Sequence, residues 1–217
     1  MDGTRLWVPE VMTLRLAILG DSIAFGQGAS RPEDRLADRL RSRLAEHGVD
    51  VGLDVVAVSG ARSADLQGQL HRLADRPPDV ALIVIGANDL THQVPPDAAA
   101  EALGAAVAAL RDVGAEVVVA PAPDLSAVPH VPPAMRPMAR AASDRLRRLQ
   151  LAAVRPHGAW IADAGADTSS SFAEDLSLFS TDRFHPSSAG YAVIAAVLLP
   201  TLLEAVAAAG AGAGRPR

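Results

Sequence analysis

Apolar side chains recur along this chain with two different periods. Residues 14–19, 53–58, 80–85, 116–120 and 159–162 are short, nearly continuous apolar runs, mostly rich in Val and Ile. Runs of that length, bounded by Gly, Pro or acidic residues, predict strands buried on both faces. The clearest is "VALIVI" at 80–85. Elsewhere the apolar positions fall three and four apart. Leu36, Leu40 and Leu44 stripe residues 32–47, and Leu66, Leu70 and Leu73 stripe 63–74. Both patterns predict amphipathic helices, the first stopped by Gly48 and the second opened by the capping residue Ser63 and broken by Pro77 and Pro78. Further helices are expected at 97–113, which Gly114 ends, at 138–154, and from Pro186 to 209. Arg145, Arg147 and Arg148 on the fourth of these read as a solvated face. Residues 121–137 hold several prolines and no period, and 163–181 are polar and serine-rich, so both are expected as loops.

Five strands alternating with helices predict an α/β protein, a parallel sheet covered on both faces. No internal repeat or linker interrupts it. One domain over residues 1–209 is expected, followed by "GAGAGRPR" at 210–217 as a flexible tail. In such a sheet the strand-to-helix turns gather at the carboxyl edge, where ligands bind.

Composition narrows the possibilities. A chain of 217 residues is long enough for a proper core. With 49 % hydrophobic but 3 % aromatic residues, that core must be built from Ala, Val, Leu and Ile. A net charge of −5 argues against a nucleic-acid partner, which demands a basic face. Every side-chain cation is arginine, which reads as composition before function. Cysteine is absent, which excludes disulfides, thiolate catalysis and cysteine-ligated zinc and fits a reducing, cytoplasmic setting. The opening "MDGTRLWVPEVMTLRLAIL" lacks the basic stretch, sustained apolar stretch and cleavage site of a secretion signal. Residues 189–209 are the most apolar, but Pro200 and Glu204 interrupt them, so a buried helix is expected there and no stable membrane insertion. Oligomeric state is left open.

What the turns carry changes the picture more. Gly20-Asp21-Ser22 follows the first run, Ser59-Gly60-Ala61 the second, and Gly86-Ala87-Asn88-Asp89 the third. Asp182-Arg183-Phe184-His185-Pro186 precedes the last helix. Together these could perform acyl transfer. A serine hydroxyl needs a base to become a nucleophile, and histidine titrates in the useful range. The imidazole needs an acid to fix its tautomer, and Asp182 lies three residues before His185. An oxyanion needs aimed donors; the N–H groups of Ser22 and Gly60 and the amide of Asn88 are on offer. Each turn alone has a plain structural explanation, since Gly, Asp, Asn and Ser all favour turns. Four unrelated turns have no reason to supply nucleophile, base and donors at one edge.

On these residues the chain resembles the SGNH hydrolase superfamily, the GDSL esterases and lipases. That family takes its name from Ser, Gly, Asn and His in four blocks. They match "GDS" at Ser22, Gly60 after the second strand, "GAND" at Asn88 and "DRFH" at His185. The likeness spans residues 14–209. It implies a flavodoxin-like three-layer α/β/α sandwich with a five-stranded parallel sheet, Ser22 as nucleophile, His185 as base, Asp182 as orienting acid, and Gly60 and Asn88 completing the oxyanion hole. Ile23 stands where the family usually has leucine, and the asparagine that many relatives carry shortly before the glycine is absent. Both departures bear on substrate preference more than on reaction class.

The expectation is therefore a serine esterase or lipase acting on small-molecule carboxylic esters through an acyl-serine intermediate. An acyltransferase or thioesterase would use the same acyl-enzyme, and a silent flavodoxin-like binding module is the alternative from another class. Asp21 and Asp89 read as structural residues that hold their turns. Asp163 is the rival to Asp182. His92 could face the site and His130 could line a pocket; His47, His71 and His157 read as surface residues. No histidine pair has metal-ligand spacing such as H-E-x-x-H, so no metal is expected. "GDSIAFGQG" lacks the order of G-x-G-x-x-G and the lysine of a P-loop, so no cofactor is expected. Nor is there a G-x-S-x-G elbow; "PSSAG" has proline where the first glycine should be. Arg62 reads as an exposed helix-entry residue that could alternatively meet an anionic group.

Overall fold

Strands β1 (Leu14–Gly20), β2 (Val51–Val55), β3 (Val80–Val84), β4 (Glu116–Ala120) and β5 (Trp160–Ile161) lie side by side in the order β2-β1-β3-β4-β5. All pairings are parallel, with Leu16 beside Leu53 on one flank and beside Val80 on the other. The computed structural model describes residues 13–213, the side chains at 166, 167 and 213 excepted. The readings made for the first twelve residues and for 214–217 lie outside that range.

Alternation along the strands builds two cores. Leu16, Ile18, Leu82 and Val118 face one way and pack under α2 (Leu36–Glu46) and α8 (Ser188–Ala213). Ala17, Leu19, Ile83 and Val119 face the other way, under α3 (Leu66–His71) and α5 (Pro96–Asp112). Helix α6 (Arg136–Val154) lies against α5. The result is the expected three-layer α/β/α sandwich. Helix α8 is long and apolar enough to cross a membrane, with a mean hydropathy of 2.2 over its most apolar 18 residues within Ser188–Gly212. Here its Leu198 and Leu202 are fully buried against the sheet.

Chain order sets where the crevice falls. From β1 the chain steps outward to β2, then returns past β1 to β3. The carboxyl ends of β1 and β3 therefore flank the point where strand order reverses, the usual place for a ligand crevice. Two one-turn helices start there: α1 (Ser22–Phe25) directly after β1, and α4 (Ala87–Thr91) after β3.

The elements depart from the expected ones in instructive places. The second strand lies at Val51–Val55, not 53–58. Gly52 and Asp54 are weak strand formers, but parallel pairing with β1 draws them in, and Arg15 binds Asp54 across the pair at 2.5 Å. Residues 56–58 still donate to Ile18 and Gly20 carbonyls without continuing the ladder. Residues 163–181, expected as loop, contain α7 (Ala164–Glu174). Its Ser and Thr residues form helices poorly by themselves. Burial of Phe172, and the Thr168 hydroxyl donating to the Ala164 carbonyl at 2.6 Å, hold the helix in place. Helix α8 runs to Ala213, so residues 210–213 of the expected tail are helical.

Candidate active site

Gly20 ends β1 with φ +132°, and a Cβ there would lie 1.8 Å from the Val84 carbonyl oxygen. Only glycine allows the two central strands to close at this point. Asp21 follows, its N–H donating to that same carbonyl at 3.1 Å. Its carboxylate accepts the Ile23 N–H at 2.9 Å, capping α1. Ser22 opens α1, its own N–H at a position with no intrahelical acceptor. It is buried at the base of the crevice.

The 180–186 segment brings His185 to it. Phe179 and Pro186 pair across the neck of this loop, and the Ser180 N–H donates to the His185 carbonyl at 2.8 Å. Arg183 adopts φ +57°, uncommon for a non-glycine residue, and turns the chain back so that Asp182 faces the residues after it. Asp182 Oδ1 accepts the Phe184 and His185 N–H groups, both at 2.9 Å, and the Ser180 hydroxyl at 2.7 Å. Its Oδ2 lies 2.6 Å from His185 Nδ1. His185 Nε2 lies 3.0 Å from Ser22 Oγ. A carboxylate only accepts, so Nδ1 carries the proton and Nε2 is left to accept from the serine hydroxyl. Burial pushes the Asp182 carboxyl up. Hydrogen bonds from the His185 ring, Ser180 and the two N–H groups outweigh this and hold it well below the usual carboxylate range.

Gly60 and Asn88 meet on the other side. The Asn88 amide donates to the Ala61 carbonyl at 3.1 Å, which holds it against the Gly60-Ala61 turn and leaves its second hydrogen unspent. Gly60 has φ +83° and open space where a Cβ would stand, so its backbone is exposed. Asp89 accepts the Ser63 N–H at 3.1 Å and the Ser63 hydroxyl at 2.8 Å, tying this turn to the one after β2. Asp21 and Asp89 thus hold the turns, as their positions suggested. They are also close enough to matter to each other. Burial first, and the charge of Asp89 second, raise the Asp21 carboxyl to about 7.

The other candidates sort themselves. Asp163 is engaged by Arg147, whose Nε donates to it at 2.6 Å, while Asp182 holds His185. His92 bonds the Asn88 carbonyl with Nδ1 at 2.9 Å. His130 is exposed and does not line the cleft beside Ser22. Arg62 turns its backbone N–H to Asp65 at 2.8 Å. Sequence reasoning missed two braces. Gln69 both accepts from the Gly20 N–H and donates to the Gly20 carbonyl, each at 2.8 Å. Gln150 accepts the Ala122 N–H at 2.8 Å and donates to the Ile85 carbonyl at 3.3 Å. Their signal was present: each is a polar residue on the apolar stripe of its helix, buried where a leucine would fit the pattern.

Fold and site together define an α/β protein with a hydrogen-bonded Ser–His–Asp chain at the switch point of a parallel sheet. The chain belongs to the GDSL-like lipase/acylhydrolase family, whose profile matches residues 18–193. The GDSL-like esterase Rv1075c of Mycobacterium tuberculosis is 36 % identical over 205 residues, covering 92 % of this chain. The chain spans 65 % of the length of that relative. Among solved structures, TesA aligns with a TM-score of 0.73 at 22 % identity, covering 88 % of this chain and 99 % of that one. The psychrotrophic esterase EstA from Pseudoalteromonas, in a structure inhibited by monoethylphosphonate, aligns at 0.70 and 20 % identity, covering 88 % and 97 %. At these identities the structural likeness is one of fold.

Proposed function

We propose that this chain hydrolyses carboxylic esters through an acyl-serine intermediate, with Ser22, His185 and Asp182 as the catalytic triad. The observation that carries this reading is the unbroken line of hydrogen bonds from Ser22 Oγ to His185 at 3.0 Å and from His185 to Asp182 at 2.6 Å. Family membership supports the reaction class, and the esterase names of its relatives agree with it.

The steps follow from the atoms. His185 Nε2 takes the Ser22 proton as Oγ attacks the ester carbonyl carbon. The carbonyl oxygen becomes an oxyanion held by the Ser22 N–H, the Gly60 N–H and the Asn88 amide. The C–O bond to the alcohol breaks, and His185 returns its proton to that oxygen. Water, deprotonated by the same imidazole, attacks the acyl-serine and releases the acid and free Ser22. Asp182 stays ionised throughout, because its carboxyl is held so far below neutrality.

The test is hydrolysis of p-nitrophenyl esters by the purified chain beside Ser22→Ala. Turnover by the parent and a fall of at least about a thousandfold in the variant is the expected outcome. Equal inertness of two folded proteins across the ester series overturns the reading.

A further inference from the structure

The site has two unlike sides. On the side of Gly60 and Asn88, Gly60 is exposed and Asn88 half-buried. On the other side, a cleft begins at Ser22 and His185 and passes between the ends of β3 and β4 and the helices α7 and α8. Its open volume, mouth included, is about 830 Å³. Gly60 and Asn88 do not line it. Its walls are chiefly apolar: Val84, Ala120, Val128, Phe172, Phe179 and Ile194 all face it. Phe172 and Phe179 meet edge to face at 5.1 Å and 78°, which stiffens the α7 wall. Polar groups along it are already engaged. Thr168 donates to the Ala164 carbonyl, and Asp124 accepts the Ser126 N–H at 2.9 Å and lies 3.3 Å from Arg140. Such walls reward methylene groups more than a sugar or polyol.

We infer that this cleft takes the acyl chain of the ester, of medium length, while the alcohol half points to solvent, and that the small side chain of Ala127 on its rim keeps room for that chain. The inference rests on the ester-hydrolase reading and assigns the two halves of its substrate. The tetrahedral carbon has four substituents. Ser22 Oγ is one, and the oxyanion must point at Gly60 and Asn88. The leaving oxygen must reach His185 and then give way to water, so it needs an open path. The cleft is what remains for the fourth, the acyl carbon. A chain seated there stays in place while alcohol departs and water enters. Ala127 closes the short turn Leu125–Ala127, lines the cleft and is half-buried, so a larger side chain there would enter the space.

The experiment compares kcat/KM over two ester series on the full chain. One varies the acyl group from acetate through butyrate and hexanoate to octanoate on a constant p-nitrophenol. The other holds butyrate and varies the alcohol from ethyl to hexyl. The expected result is a rise of roughly three- to fourfold per added acyl methylene until the cleft is full, and little change along the alcohol series. Ala127→Phe should lower the hexanoate-to-acetate ratio by about tenfold, with folding checked by thermal melting. A flat acyl series, a preference that follows the alcohol instead, or an unchanged ratio in a folded Ala127→Phe overturns the assignment while leaving the hydrolase reading standing. If Ala127→Phe does not fold, the two series on the parent chain decide alone. Failure to cleave any ester defeats both.

Discussion

At the scale of single residues, the site is organised by who holds each carboxylate. Asp182 and Asp163 are both near the carboxyl edge by sequence, yet one holds His185 and the other is held by Arg147. Asp182→Asn keeps the shape but loses the acceptor that fixes the Nδ1 proton. It should lower kcat by up to about ten-thousandfold, against a hundred- to thousandfold for Asn88→Ala, which removes one donor of the proposed oxyanion hole. Steady-state kinetics on one ester measures both, and a smaller loss for Asp182→Asn than for Asp163→Asn would reverse the assignment. Asp21 makes a prediction of a different kind. Its carboxyl is raised from 3.8 to about 7 in the folded chain. The folded state therefore holds this proton more tightly than the unfolded one. That contribution to stability is complete below about 4 and is lost as pH rises through about 7. Asp21→Asn keeps the oxygen that accepts the Ile23 N–H and carries no charge to bury. Between pH 5 and 8 its Tm should fall less steeply than the parent's; parallel melting curves would refute this.

At the scale of elements, short local features carry the chemistry and buried amides keep them in position. Gln69 reaches from α3 to satisfy both backbone groups of Gly20, one residue before Asp21. Gln69→Leu would suit the apolar stripe of α3, but it strands the buried Gly20 N–H and leaves the Gly20 carbonyl with the Val58 N–H alone. At roughly 1–3 kcal/mol for the stranded N–H, Tm should drop by roughly 2–12 °C in a chain of this size. Differential scanning calorimetry measures it, and an unchanged Tm would show that Gly20 finds other partners. Helix α7 teaches the complementary lesson. Its serine-rich sequence reads as loop because its residues compete with the backbone for hydrogen bonds. Phe172 packs into the core from it, and that contact decides the matter.

At the scale of the whole molecule, Ser22 and His185 stand 163 residues apart in sequence and 3.0 Å apart in space. Ser22 follows β1, and His185 lies three residues before the start of α8, so the site assembles only when α8 seats on the sheet. Leu198 of α8 is fully buried in that seam. Leu198→Ala should cost about 2–5 kcal/mol. Activity and far-UV circular dichroism should be lost together at a lower urea concentration than in the parent. Loss of activity well before loss of structure would mean that the α8 seam does not govern the site.

The alternation of apolar runs and stripes was enough to establish an α/β chain with a parallel sheet, because period and strand burial are properties of nearest neighbours along the chain. The Asp182–His185 spacing and the turn residues after the first three strands were local in the same sense, and so were legible. The choice of Asp182 over Asp163, the Gln69 and Gln150 braces, the helix at Ala164–Glu174 and the cleft beside Ser22 were decided by tertiary structure. Each depends on a contact between segments distant in sequence, and such contacts are specified by the packed core as a whole and by no single stretch of residues.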